Sequence, residues 1–407
     1  MSIFLKNRVA QGIALLLLST AAHADFSIPG FELVHTVPLA TDLATPDLRD
    51  PGHVWIELFD SAKHNIDIEE FYAADHPGSV MDKVIHSLEA AGKRGVKIRF
   101  LLEEKGVKLS EPATLDRLRA IPNLTFNVLP YASLTGNGII HAKFFLVDGK
   151  QAFVGSQNFD WRSLEHIHET GLRISEPGMV SQIQAIFEQD WQAQAALAAH
   201  KPVSVPAAAP APARTGNYLV ASPQRYNPPG VGDSQEELPR LLGEAKHEVR
   251  VQLLDYAPLS YGPNRTRPYY AVIDDALRAA AARGVSVKLM VSDWNTGAPE
   301  VAYLQSLAVL PNVQVRVVTL PTAPEGFIPY ARVIHTKTLE IDGQTAWVGT
   351  SNWLGGYLDK SRNLEVVMRS EPMAKRIGEL HEQLWDSAYA KPIDIMRVYP
   401  EPHPGKP

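Results

Sequence analysis

One stretch of this chain occurs twice, 194 residues apart, and any fold must find a place for both copies. The first reads Ile140-His141-Ala142-Lys143-Phe144-Phe145-Leu146-Val147-Asp148-Gly149. The second reads Ile334-His335-Thr336-Lys337-Thr338-Leu339-Glu340-Ile341-Asp342-Gly343. Each is followed by a Gly-Ser/Thr-x-Asn segment, Gly155-Ser156-Gln157-Asn158 and Gly349-Thr350-Ser351-Asn352. In both copies the Gly lies seven residues after the Asp, and the Asn ten. One histidine and one lysine two apart on an apolar run is a common accident of strand sequences. A second copy with the same trailing glycine and asparagine is not.

The flanks repeat as well. Ala62-Lys63-His64 returns as Ala245-Lys246-His247, Arg94-Gly95-Val96 as Arg283-Gly284-Val285, and Pro122-Asn123 as Pro311-Asn312. Glu188-Gln189 with Trp191 returns as Glu382-Gln383 with Trp385. Between these markers helical and strand periodicities alternate. Helices are expected at 54–64, 80–94, 114–120 and 178–198, and strands at 65–72, 96–102 and 124–129. The first repeated stretch runs into Asp148-Gly149, a hairpin signal, and returns through 152–154. Residues 25 to about 50 read as Pro-rich and irregular. Residues 201–214, rich in Pro and Ala, read as a stiff linker. The pattern predicts an α/β chain of two similar halves related by a pseudo-two-fold axis. The first half is expected over 25–200, a linker over 201–215, the second half over 216–400 and a tail over 401–407. The active site is expected at the seam between the halves.

Charge narrows the partners. The chain of 407 residues carries a net charge of −6, and its first 24 residues hold Lys6 and Arg8 with no acid. A chain without them sits near −8, so bulk charge does not drive it onto polyanions, and any phosphate must be caught locally. The first 24 residues read as an export leader, with a basic start, the apolar run Gly12 to Leu18, and Ala22-His23-Ala24 ahead of a cut before Asp25. The weakly polar run from Val9 to Ala22 is too short for a membrane anchor, which takes about 20 residues. A secreted or periplasmic protein without a stable anchor is expected. With no cysteine, packing must hold it.

The chemistry follows from spacing. Residues two apart on a strand share a face, so His141 projects with Lys143, and His335 with Lys337. Two imidazoles and two ammonium groups across a seam suit a tetrahedral phosphoryl group. The lysines hold its oxygens, while Asn158, Asn352, Ser156 and Ser351 are candidates to bind the substrate. One imidazole attacks phosphorus, the other protonates the leaving oxygen, and water then hydrolyses the phosphohistidine. The lysines neutralise the developing charge, so neither metal nor cofactor is expected. Glu169 and Glu365, 28 and 30 residues after their histidines, are candidates to orient the imidazoles. Asp148 and Asp342 complete the candidate catalytic set, although an Asp-Gly turn favours Asp for backbone reasons alone. The histidine pair is expected to titrate as a unit, with a bell-shaped, mildly acidic to neutral profile.

The paired HxKxxxxD motifs with Gly-Ser/Thr-x-Asn resemble the phospholipase D superfamily across nearly all of residues 30 to 395. Finer stretches resemble its endolysosomal branch: Asn158-Phe159-Asp160-Trp161-Arg162-Ser163-Leu164, Ile328-Pro329-Tyr330-Ala331-Arg332-Val333, Gly349-Thr350-Ser351-Asn352-Trp353, Ala271 to Leu277 and Ser292-Asp293-Trp294. The resemblance implies two phospholipase D-like α/β/α sandwich halves and a phosphohistidine mechanism, with His141 as nucleophile and His335 as acid. It also implies 5′ exonuclease action on single-stranded nucleic acid. A phospholipase D acting on phospholipids is the alternative within the superfamily. A phosphate-binding module without turnover is the alternative outside it.

Overall fold

The computed structural model describes residues 25–207, 213–262, 264 and 266–406. The expected leader at 1–24 and positions 208–212 of the expected linker lie outside the described residues.

Local signals fix where the helices begin and end. The Asp50 carboxylate accepts from the Gly52 amide at 2.8 Å and opens the helix Pro51–Ser61. The Ser79 hydroxyl accepts from the Asp82 amide and opens Val80–Lys93, which stops at Gly95 with φ +92. The strand Asn65–Glu70 begins just beyond the first of these helices, and Lys97–Glu103 just beyond the second.

The strands build two large sheets with the same internal order. In the first, Phe31–Thr36, Glu169–Ile174, Gln151–Gly155, Phe144–Val147, Asn65–Glu70, Lys97–Glu103 and Leu124–Leu129 lie side by side. In the second the same places are taken by Asn217–Ser222, Asn363–Met368, Thr345–Gly349, Thr338–Ile341, Glu248–Leu253, Ser286–Ser292 and Val313–Val318. The last three strands of each set pair in parallel, the rest antiparallel. The expected duplication is therefore a duplication of topology.

One strand of the first sheet was not expected. Phe31–Thr36 sits inside a segment expected to be irregular. It is buried along nearly its whole length, so it lacks the polar alternation that marks a half-exposed strand.

Side-chain alternation sorts each strand between two cores. Phe145 and Val147 point outward, under the helices Pro51–Ser61 and Val80–Lys93. Phe144 and Leu146 point inward and meet Ala346, Val348, Leu364 and Val366 of the other half. The helices Pro177–Ala198 and Glu371–Trp385 pack into that shared inner core. No helix among the described residues is long and apolar enough to cross a membrane.

A wholly buried ion pair crosses the seam. Arg362, wholly buried, donates to both Asp190 oxygens at 2.6 and 2.9 Å. Its remaining N–H groups reach Ser222 O, Tyr226 O and Asn227 Oδ1 at 3.0 to 3.1 Å, so the guanidinium is fully satisfied. A buried pair of this kind adds little against an apolar substitute, but removing one partner strands the other charge. Asp190→Ala is therefore expected to lower unfolding free energy by about 3–5 kcal/mol, read by urea denaturation.

Candidate active site

The two histidines are not on strands of their own sheets. The ladders start at Phe144 and Thr338, and the segments before them leave the sheet and bridge to the opposite half. The amides of His141 and Ala142 donate to Arg362 O at 2.9 and 2.8 Å. The amides of His335 and Thr336 donate to His168 O at 2.9 and 3.1 Å. Each histidine segment was expected on a strand of its own sheet, but its hydrogen bonds run across the seam instead.

The rings are oriented across the seam too. His335 Nδ1 lies 3.0 and 2.9 Å from the two oxygens of Glu169. His141 Nδ1 donates to Asn363 Oδ1 at 3.1 Å. The Asn363 amide cannot turn, because its Nδ2 donates to Tyr357 O at 2.9 Å while Thr350 Oγ1 donates to its Oδ1 at 2.9 Å. In both cases the partner fixes one ring nitrogen and leaves Nε2 for chemistry.

Glu365 is therefore not the partner of His141. Sheet register supplies the reason. Gly155 stands opposite Gly171 in the first half, and Gly349 opposite Glu365 in the second. Glu365 thus occupies the place of Gly171, and Asn363 that of Glu169, each 28 residues after its histidine. The Glu365 carboxylate instead accepts from the hydroxyls of Ser234 and Ser351. It also crowds the neighbouring strand, where a Cβ on Gly349 would fall 2.4 Å from Glu365 Cγ.

Other candidates move with it. Ser351 is engaged by Glu365, and Ser156 exchanges hydrogen bonds with the Thr170 backbone at 3.0 and 3.2 Å. Neither serine lines the cleft. Asp148 accepts from the amides of Lys63, His64 and Asn65 at 2.8 to 2.9 Å, and Asp342 repeats this with Lys246, His247 and Glu248 at 2.8 Å. Both aspartates clamp a hairpin to the preceding helix end, at the far end of the strand from the histidines, and they hold structure rather than substrate.

What remains converges. His141, His335, Asn158 and Asn352 line one cleft of about 510 Å³ at the seam. Lys143 and Lys337 lie beneath, nearly wholly buried, each donating to the carbonyl of its own histidine. Tyr357 stands edge-on to the His141 ring at 4.7 Å, with Phe71 at 5.7 Å. Lys108, Arg162, Trp294 and Tyr330 form the outer wall, and Asp255 faces the same space. Spacing did not single out Asn363 as a partner, nor Thr350 or Tyr357; the equal 28-residue interval from each histidine was the available signal.

Electrostatics give the cleft a direction. Burial, then the charges of Lys143 and Lys337, pushes both histidines well below the ordinary imidazole value. Burial pushes Lys143 well down and Lys337 down to about 7, and pushes Glu169 up to about 8. The two histidines and the two lysines are all disfavoured as cations in the empty cleft. An anion seated among them would favour their charged forms, which suits the cleft to a phosphoryl group.

Known proteins show the family and the fold. The family described as cardiolipin synthase, PLD-like domain, matches residues 55–191 and 238–385. A probable phospholipase D, F09G2.8, of Caenorhabditis elegans is 28% identical over 397 residues, covering 89% of this chain and 70% of its own length. Phospholipase D Z of Dictyostelium discoideum is 29% identical, covering 89% and 90%. The 5'-3' exonuclease PLD4 of Mus musculus is 28% identical, covering 89% and 79%. Among solved structures, phosphatidylserine synthase of Haemophilus influenzae superposes with a TM-score of 0.58 at 10% identity, covering 84% of this chain and 85% of that one. That last likeness concerns the fold.

The two glutamates should separate in a kinetic test. Glu169→Gln is expected to lower kcat on a phosphodiester by about 10²- to 10⁴-fold with little change in KM. Glu365→Gln is expected to change kcat less than about tenfold and to lower stability by about 1–3 kcal/mol, read by denaturation.

Proposed function

The chain belongs to the phospholipase D-like family, and from that premise we propose that it is a phosphodiesterase that hydrolyses single-stranded nucleic acid through a phosphohistidine on His335. The observation that carries the reading is the unequal pair of ring partners in one cleft, Glu169 at His335 and Asn363 at His141.

The partners argue for opposite roles. When His335 Nε2 attacks phosphorus, the N–P bond forms and positive charge grows on the ring. The Glu169 carboxylate, bonded to Nδ1, stabilises that charge as it develops. The acid does the reverse: its Nε2 proton passes to the leaving oxygen as the P–O bond breaks, and the ring loses its charge. A carboxylate partner would oppose that loss, whereas the neutral Asn363 amide holds the His141 ring without stabilising its cation. In the second step the neutral His141 takes a proton from water, the water oxygen attacks phosphorus, and the N–P bond to His335 breaks. This order reverses the one implied by the family resemblance. Lys143 and Lys337 balance the phosphoryl charge throughout, which supports turnover without a metal ion.

The outer wall favours a nucleic-acid strand. Lys108 and Arg162 can take backbone phosphates, and Trp294 and Tyr330 offer ring faces on which bases stack. Relatives named 5'-3' exonucleases point the same way. The expected leader adds export to this reading, with the mature chain starting at Asp25.

Purified protein should shorten a 5′-hydroxyl single-stranded oligonucleotide equally well with and without EDTA, and should leave phosphatidylcholine vesicles intact. Choline release without oligonucleotide cleavage would establish the phospholipid alternative. Trapping in alkaline denaturant, where an N–P bond survives, followed by peptide mapping should find phosphate on His335 in His141→Ala, and none on His141 in His335→Ala. On pH the sign follows from the lowered His141: its proton is lost below the usual imidazole value near 6.5, so kcat/KM should already fall with rising pH on the acid side of that value. KM should rise above about 7 as Lys337 discharges.

A further inference from the structure

A second cavity, of about 340 Å³, lies beside the catalytic cleft and shares a wall with it. Trp294 lines both. The segment ahead of His335 alternates between them: Tyr330 and Val333 face the cleft, Ala331 and Arg332 the second cavity. The chain end closes the far side, with the Tyr330 amide donating to Pro404 O at 2.8 Å.

Two charged residues lining this cavity are left incomplete. Arg332 is 8% exposed; its Nε donates to Pro321 O at 2.6 Å and its Nη1 to Leu39 O at 2.8 Å. Its Nη2 is buried and has no partner. Asp293 lines the same cavity, and its Oδ1 is likewise buried without a partner, so these two atoms do not satisfy each other. A buried donor and a buried acceptor left unpaired are costly unless something else completes them. The backbone adds to the cost, since Tyr330 and Arg332 both sit in the left-handed region at φ 59 and 57. Strain of that kind on bulky residues persists where a site needs it.

From this we propose that the second cavity is a nucleobase subsite that reads a guanine on the strand being cut; the inference rests on the nucleic-acid reading above. Arg332 is a donor only and Asp293 an acceptor only. Guanine carries both complements on one rigid ring, O6 and N7 for the guanidinium, N1–H and the 2-amino group for the carboxylate. Trp294 and Phe327, the latter 44% exposed, supply apolar faces against which the ring can stack. A bare phosphate fits worse, because Asp293 and Glu401 on the cavity wall would repel it. The shared wall sets the register: with a phosphate between His141 and His335, a neighbouring base reaches the second cavity past Trp294.

The test uses oligonucleotides of one length with guanine, hypoxanthine or adenine walked through the first three positions. At one position only, replacing guanine by hypoxanthine, which lacks the 2-amino group, should lower kcat/KM by about tenfold, and adenine by more. Asp293→Asn should bring the ratio of kcat/KM for the guanine and hypoxanthine substrates to about one at that position. A melting curve matched to the unsubstituted protein guards against misfolding. Cleavage at equal rates for all bases at every position would overturn the subsite and leave the nuclease reading standing. A preference that survives in Asp293→Asn would overturn it as well. No cleavage of any oligonucleotide would sink the nuclease reading and this inference together.

Discussion

Each reactive histidine is held by the half of the molecule that did not supply it. The peptide of Arg362 carries the His141 backbone and its neighbour Asn363 carries the His141 ring; His168 and Glu169 do the same for His335. The crossing ties catalysis to packing. Arg362 is buried against Asp190 of the first half, so the ion pair that closes the seam also fixes the carbonyl on which His141 hangs. A small slide of one sheet past the other would misplace both imidazoles together, and the inner core of Phe144, Leu146, Val348 and Leu364 is what resists it.

Much of this was legible from spacing. The repeated His and Lys, the trailing Asn, the hairpin turns and the alternation of helix and strand all lie on the chain where a period of two or 3.6 can be counted. The partner of His141 was not. It depends on which residues stand opposite across a sheet, and counting along the chain let Glu365, two positions too far, look equivalent to Glu169. Carboxylate chemistry made the wrong residue the more attractive one. The strand Phe31–Thr36 was missed for a related reason, since burial on both faces removes the polar alternation by which strands are recognised. Asp148 and Asp342 illustrate the opposite case, where a motif position that looks chemical turns out to secure a turn.

The site treats its charges differently from the Arg362–Asp190 pair, where each buried ion meets its opposite. Within the cleft two lysines lie buried beneath two histidines, and Asn158 and Asn352 each keep an oxygen without a partner. The cost of holding these groups dry is what substrate relieves, so the binding of a phosphoryl anion and the stability of the empty site pull against each other. Asp255, pushed up to about 6 by burial beside Lys337, adds one acid to an otherwise cationic surround and limits how many negative charges the cleft can accept at once.

The register difference between the strands Glu169–Ile174 and Asn363–Met368 has a further meaning. A homodimer built from two copies of either half would be a molecule with interchangeable histidines, both facing carboxylates or both facing amides. In the fused chain a single residue type at equivalent positions, Glu169 and Asn363, breaks that degeneracy. The duplicated frame thus holds one histidine against a carboxylate and the other against an amide, and the two are no longer interchangeable.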